Sequence, residues 1–403
     1  MYLWFFALLI HLVLSANHVA VSINNLPEDI AYNETYFRII EYTFKKHNVD
    51  VVLHAYHPDP DNLTTVHDTH GQMVLDGINY AIIGDTISST TSELIVQQDI
   101  HVFKTNAKEL PIISNSATSD TLSNSIDFPN FLRTIPVDSF SFSSIVAFVD
   151  AFNKKNVAMI YTNDPSGNSG YFRVNKLCNE KNISLLGVVY SNTMESLMQQ
   201  VYDIPVIISN MYMEELFDTW KRFPKALDAK HMWVLTDAAM VISETEFTDA
   251  GFKDVINKNT NVVVANLLSV DNNIIKELKS NFGDPLPPLG SGYYDAVTAI
   301  VKGWSASGST YNFSKFTGVK FEGATGKVSF DSNGDRVGVM GIYRIFIGRD
   351  YPLLSQFENG KLTFESGWAD YLFGYTDADI RRDSSLSVYS LSTFVIPLIL
   401  FLF

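Results

Sequence analysis

The sequence predicts an α/β protein with two parallel sheets, each wrapped by helices. Three observations predict it. Short apolar runs recur along the chain, amphipathic segments separate them, and the runs are too many for one sheet. In order, HVAVSI (18–23), VDVVLHAY (49–56), INYAIIG (78–84), LPIIS (110–114), NVAMIY (156–161), ISLLGVVY (183–190), IPVIIS (204–209), HMWVLT (231–236) and NVVVANLLSV (261–270) read as strands. Their unbroken apolarity and Val/Ile content suit strands buried on both faces. The intervals carry helical patterns, among them 141–155, 169–182, 213–223 and 293–304. In the last, Ala296, Ile300 and Trp304 recur every four residues and share one face. No Gly/Ser- or Pro-rich linker divides the chain, which predicts lobes joined by several crossings. Past residue 310, Asn333-Gly334 between runs rich in Val, Phe, Ile and Tyr predicts a hairpin.

The chain has 403 residues, enough for about two lobes. Its formal net charge of -15 argues against a nucleic-acid partner, which needs a basic face. Residues 2–14 are almost wholly apolar and end in Ser15-Ala16, the layout of a signal peptide over 1–16. At the other end, small residues at Asp383 and Ser384 precede a polar spacer and a terminal apolar run. That order matches a lipid-anchor attachment signal with Asp383 or Ser384 modified; a tail anchor or a truncated receptor are the alternatives. Export would make surface glycan sites of the sequons at Asn33, Asn62, Asn182 and Asn312. A single cysteine, Cys178, forbids an intramolecular disulfide and reads as a buried small residue.

Catalytic and cofactor motifs are missing: GxSxG, HExxH and CxxC do not occur. GATGKVS (323–329) lacks the spacing of a phosphate loop, and DSNGDR (331–336) has Arg336 where a calcium loop needs Gly. His54, His57, His67 and His70, with Asp59, Asp61 and Asp68 nearby, contain zinc-ligand types, but a strand end and a solvated helix face explain them better. The expectation is no metal, no cofactor and no enzyme activity. Parallel lobes without a catalytic set point to ligand binding beyond the strands' carboxyl ends.

IIGDTISSTTSE, LPIISNSATSDTLS and FPNFLRTIP, between 82 and 136, resemble the extracellular ligand-binding region of class C G-protein-coupled receptors. The likeness continues through NKKNVAMIYTND, MWVLTD, YYDAVTAIVKGW and FEGATGKVSFDSNGDR, over roughly 18–370. It implies the type I periplasmic binding-protein fold: two α/β lobes joined by three strands, closing on a ligand. Lobe 1 would be 17–136 plus 268–320, lobe 2 137–267 plus 321–372, and 373–403 a spacer and anchor signal. The resemblance further implies that Ser88, Ser89, Ser116 and Thr118 hold an α-carboxylate; Ser116-Ala117-Thr118-Ser119 looks identical to a run in some metabotropic glutamate receptors. Asp237 resembles the aspartate that pairs with the ligand ammonium in glutamate-type receptors. Tyr212 resembles the tyrosine that closes over the ligand in GABA-B-type receptors. Leu289 stands where GABA-B-type receptors have an acidic ligand residue, and the glutamate-type second-lobe tyrosine falls near Ser166. The resulting expectation is a cell-surface protein that binds a small amino-acid-like ligand and can pair through lobe 1. The alternative is a ligand-free dimerising scaffold or adhesion protein.

Overall fold

The computed structural model describes residues 16–24, 27–236, 244–268, 270–348 and 351–380. Strands β1 (Asn17–Ser22), β2 (Val51–Tyr56), β3 (Ala81–Ile83), β4 (Ile112–Ser114) and β5 (Phe131–Arg133) form an all-parallel sheet in the order β2-β1-β3-β4-β5. The short β5 escapes an apolar-run reading, because Pro129 and Pro136 leave little room for a run between them. Alternate residues serve opposite faces. Val19, Val21, Ile83 and Ile113 pack under helices Pro27–Lys46 and Gly290–Ser307, whereas Ala20, Ile82 and Ile112 pack under Leu63–Leu75 and Ser88–Thr105. Burial on both faces is what the unbroken apolar runs encode.

The same plan recurs in the second sheet. Strands β6 (Asn156–Tyr161), β7 (Ser184–Val189), β8 (Val206–Asn210), β9 (Met232–Leu235) and β10 (Asn261–Leu267) run parallel in the order β7-β6-β8-β9-β10. In each sheet the second strand lies outside the first and the chain then returns past it, the doubly wound arrangement. Helices Asp138–Ala151 and Pro165–Glu180 cover one face, and Glu195–Val201 and Met213–Arg222 the other. A two-stranded hairpin, β11 (Lys320–Gly323) with β12 (Gly326–Ser329), stands apart. Antiparallel strands β13 (Met340–Arg344), β14 (Leu353–Glu358) and β15 (Lys361–Phe364) then extend the second sheet from β10.

Two expectations change. The long hairpin around Asn333-Gly334 is only a tight turn closing an isolated Phe330–Arg336 bridge, since β13 pairs with β10 instead. The hairpin segment expected in lobe 2 from 321 packs on the first core: Ala324, Val328 and Phe330 join Tyr36, Leu132 and Ile300. The chain crosses between the cores three times, after Arg133, after Leu267 and after Arg336. The crossings touch: a Cβ on Gly338 would lie 3.1 Å from Pro136 Cγ and 3.2 Å from Leu267 Cδ1.

Cys178 lies in the second core, as a small apolar residue should, with burial pushing its thiol up to about 12. His70 meets Gln98 at 3.0 Å, His54 meets His18 at 2.9 Å and His57 meets Asn33. Among the described residues no group of three His, Cys, Asp or Glu side chains is placed to hold a metal, and no helix is long and apolar enough to cross a membrane. Asn62, Asn182 and Asn312 are exposed; Asn33 is partly buried with its amide against His57. Asp383 and Ser384, and all but the end of the expected signal segment, lie outside the described residues.

Candidate functional site

In doubly wound sheets, the crevice beyond the strands' carboxyl ends opens where the strand order reverses. In the first sheet that point lies between β1 and β3. There Ser22 Oγ donates to the buried Asp85 carboxylate at 2.8 Å, and Asn24 Nδ2 donates to Thr86 Oγ1 at 2.8 Å. The Asp85 carboxylate also accepts the Thr86 N–H at 2.7 Å, turning the chain into helix Ser88–Thr105. Ile87 precedes that helix without a side-chain cap, and the first intrahelical bond is Thr91 N–H to Ile87 O at 3.0 Å. The N–H groups of Ser88, Ser89 and Thr90 therefore lie outside the helical ladder, at the positive end of an 18-residue helix.

The next loop, after β4, is braced against this one. Ser114 Oγ donates to Asp85 O at 3.0 Å and accepts the N–H groups of Ser116 (3.2 Å) and Ala117 (2.9 Å). Ser116 Oγ donates to Thr86 O at 3.2 Å, and Ser119 N–H donates to Ser88 Oγ at 3.2 Å. Ser88, Ser116 and Thr118 are partly exposed and Ser89 exposed. The structure thus sets Ser88 and Ser89, in the first turn of helix Ser88–Thr105, beside the loop that carries Ser116 and Thr118. Thr118 contributes its carbonyl, which accepts the Asp138 N–H at 2.9 Å, where the second lobe's first helix starts.

In the second sheet the order reverses between β6 and β8. Asn210 spans that point, its Nδ2 donating to Ser166 O at 3.4 Å and its Oδ1 accepting from Thr236 Oγ1 at 3.0 Å. Asp164 caps helix Pro165–Glu180 through the Gly167 N–H at 2.7 Å. Tyr212 heads helix Met213–Arg222, 51% exposed. Burial, followed by the charges of Asp164, Glu215 and Asp138, pushes its phenol up. Asp138 thus bonds Thr118 through its backbone N–H and adds its charge to those that raise the Tyr212 phenol. Asp237 lies outside the described residues, directly after Thr236 at the end of β9.

Sequence reasoning passed over Asp85, Asn115 and Arg133. Asn115 is buried, donates through Nδ2 to Leu289 O at 3.2 Å and leaves its Oδ1 unpartnered. Arg133 is fully buried in β5. The available signal was a charged residue inside a short strand, which burial makes costly unless it is paired.

The chain belongs to the receptor family ligand binding region, whose pattern matches residues 99–345. The family is a class of receptor and binding proteins. Metabotropic glutamate receptor-like protein E of Dictyostelium discoideum is 24% identical over 329 residues, 73% of this chain and 38% of that protein. Glutamate receptor 3.7 of Arabidopsis thaliana is 38% identical over 72 residues, 17% of this chain and 8% of that protein. The chain therefore spans well under half the length of these relatives. The crystal structure of a leucine binding protein, LivK, from Thermotoga maritima superposes with a TM-score of 0.65 at 14% identity, covering 87% of this chain and 97% of that one. The fold is that of the type I periplasmic binding proteins.

Proposed function

We propose that this protein is a cell-surface receptor-type module that closes on a small amino-acid-like zwitterion between its two lobes. Ser88, Ser89 and Thr118 take the carboxylate through hydroxyl and backbone N–H donors, with the Ser88–Thr105 helix dipole behind them, and Ser116 joins by turning its hydroxyl from Thr86 O to the ligand. Asp237 pairs with the ammonium, and Tyr212 covers the cleft. The observation that carries this reading is the bracing of the two segments beyond β3 and β4 against each other, Ser116 Oγ donating to Thr86 O and Ser119 N–H to Ser88 Oγ. The family and the LivK-like fold support it. A panel of amino acids screened by thermal shift on the purified chain tests it. A ligand at 100 times its Kd stabilises by about 2.7 kcal/mol, and Asp237→Ala removes the response to an amine-bearing ligand. A flat panel ends the reading.

A second reading, a self-associating scaffold, has its own observation. Phe103 is 90% and Leu75 80% exposed, with Val74, Val96 and Ile100 also exposed, on the neighbouring helices Leu63–Leu75 and Ser88–Thr105. Pairing through this face is compatible with ligand binding. Sedimentation of wild type against Phe103→Glu measures it, with a smaller species expected for the variant. Attachment at Asp383 or Ser384 predicts release from cells by a phosphatidylinositol-specific phospholipase.

A further inference from the structure

The candidate clamp is held from behind by a residue no ligand would touch. Arg133 is fully buried, and its guanidinium is spent on four acceptors. Nη1 donates to Ala117 O at 3.1 Å and Ser119 O at 2.8 Å, and Nη2 to Ser123 Oγ at 2.6 Å. Nε donates to Asp335 Oδ1 at 2.6 Å, a nearly solvent-free ion pair. Asp335 belongs to the root of the third crossing, more than 200 residues further along the chain. Its neighbour Arg336 reaches the first crossing, where Nη1 donates to Thr134 O at 2.8 Å. Two consecutive residues at the third crossing thus hold Arg133, which in turn bonds the back of the 114–123 loop, and the start of the first crossing at Thr134.

We infer that Arg133 is a positioning residue for the 114–119 clamp, and that its pair with Asp335 couples the clamp to the third crossing, so that clamp geometry and lobe movement form one equilibrium. The ligand role of the clamp rests on the function proposed above; the coupling does not. The task suits arginine. Only a planar fork with five N–H donors meets two carbonyls, a hydroxyl and a carboxylate at once, and a lysine ammonium offers three donors from a single point.

Hydrogen exchange resolved by segment on the full chain tests this. Arg133→Lys keeps the charge beside Asp335 but forfeits the fork. The expected result is exchange over 114–123 faster by about tenfold, with helix Gly290–Ser307 unchanged. Asp335→Asn acts from the far end and is expected to speed the same segment several-fold, although Asp335 does not touch it. Should either variant fold poorly, the double variant R133M/D335L replaces the pair by apolar side chains of similar volume, which folded proteins usually tolerate. It too is expected to loosen 114–123. Unchanged exchange over 114–123 in the folded variants overturns the coupling, as does a uniform rise across the whole first lobe. In parallel, glycine, L-glutamate and L-leucine at millimolar concentration serve as thermal-shift probes. A wild-type shift lost in Arg133→Lys supports the positioning role, and a shift retained there overturns it. If no probe shifts the wild type, the binding reading falls, and the exchange comparison still decides the coupling.

Discussion

The loops after β3 and β4 and those after β6 and β8 lie beyond the carboxyl ends of two sheets with the same parallel strand order, yet they are built differently. On the first side, Asp85, Ser88, Ser114 and Ser116 are bonded to one another or to neighbouring backbone, and Arg133 ties the loop from behind. On the second side, Asn210 makes one long bond of 3.4 Å and one of 3.0 Å, Asp164 caps its own helix, and Tyr212 stands half in solvent. The difference teaches where ordering costs fall. The first face is tied together internally and has little freedom left to lose, so under the proposed function the ordering cost of binding would fall mainly on the second.

The comparison can be attacked at several strengths. The strongest blow is Arg133→Ala, which strands Asp335 in the interior. A loss of about 3–5 kcal/mol is expected in urea denaturation; a loss under about 1 kcal/mol would mean the first face is not held as described. Next come two glycines. A Cβ on Gly170 would overlap Asn210 Nδ2 on the second face, and one on Gly292 would sit 3.0 Å from Asn115 on the first. Each alanine substitution is expected to cost about 1–3 kcal/mol. If the second face yields more readily, Gly170→Ala is the milder of the two despite its tighter overlap.

A pH test comes third. Asp295 is fully buried beside the root of the third crossing, and burial pushes its carboxyl up to about 6 against the pull of Arg336 and of the Thr325 and Ala324 hydrogen bonds. Its folded value lies above its unfolded one. Its contribution is therefore fully present below about 4 and is lost as pH rises through about 6. Relative to Asp295→Asn, which cannot ionise, the wild type should gain stability as pH falls between those values, by about 1 kcal/mol per unit at most. Thermal melts at several pH values would show it, and parallel slopes would refute it. The smallest effect is expected for Tyr212→Phe, within about 0.5 kcal/mol of wild type, because the ring is half-exposed at a helix start. Its signature is a weaker thermal shift by ligand, without a change in the apo melting temperature.

Much of this was legible in the sequence, and the reasons differ by region. Runs such as NVAMIY and IPVIIS announce strands because burial on both faces leaves them no polar position. SNSATS could be singled out because it gathers small hydroxyls after a buried strand, although turns and helix caps draw on the same residues. Arg133 could be noticed as a charge among apolar residues, but its partner could not be read, because Asp335 lies 202 residues away and pairing across that distance leaves no local periodicity. The hairpin around Asn333-Gly334 was misjudged for the opposite reason. Its local signal is strong, but β13 finds a longer partner in β10 of the other sheet. The 321 boundary failed likewise, since Val328 and Phe330 look alike to either core until packing chooses one.

The contact of Gly338 with Pro136 and Leu267 sets how many ways the halves can move. A single tether would leave a swivel with three rotational freedoms. Three crossing segments lying against one another resist twisting and sideways sliding and leave one soft coordinate, a bend across all three. A protein with one such coordinate can be open or shut and little else, which would suit the receptor-type role proposed above.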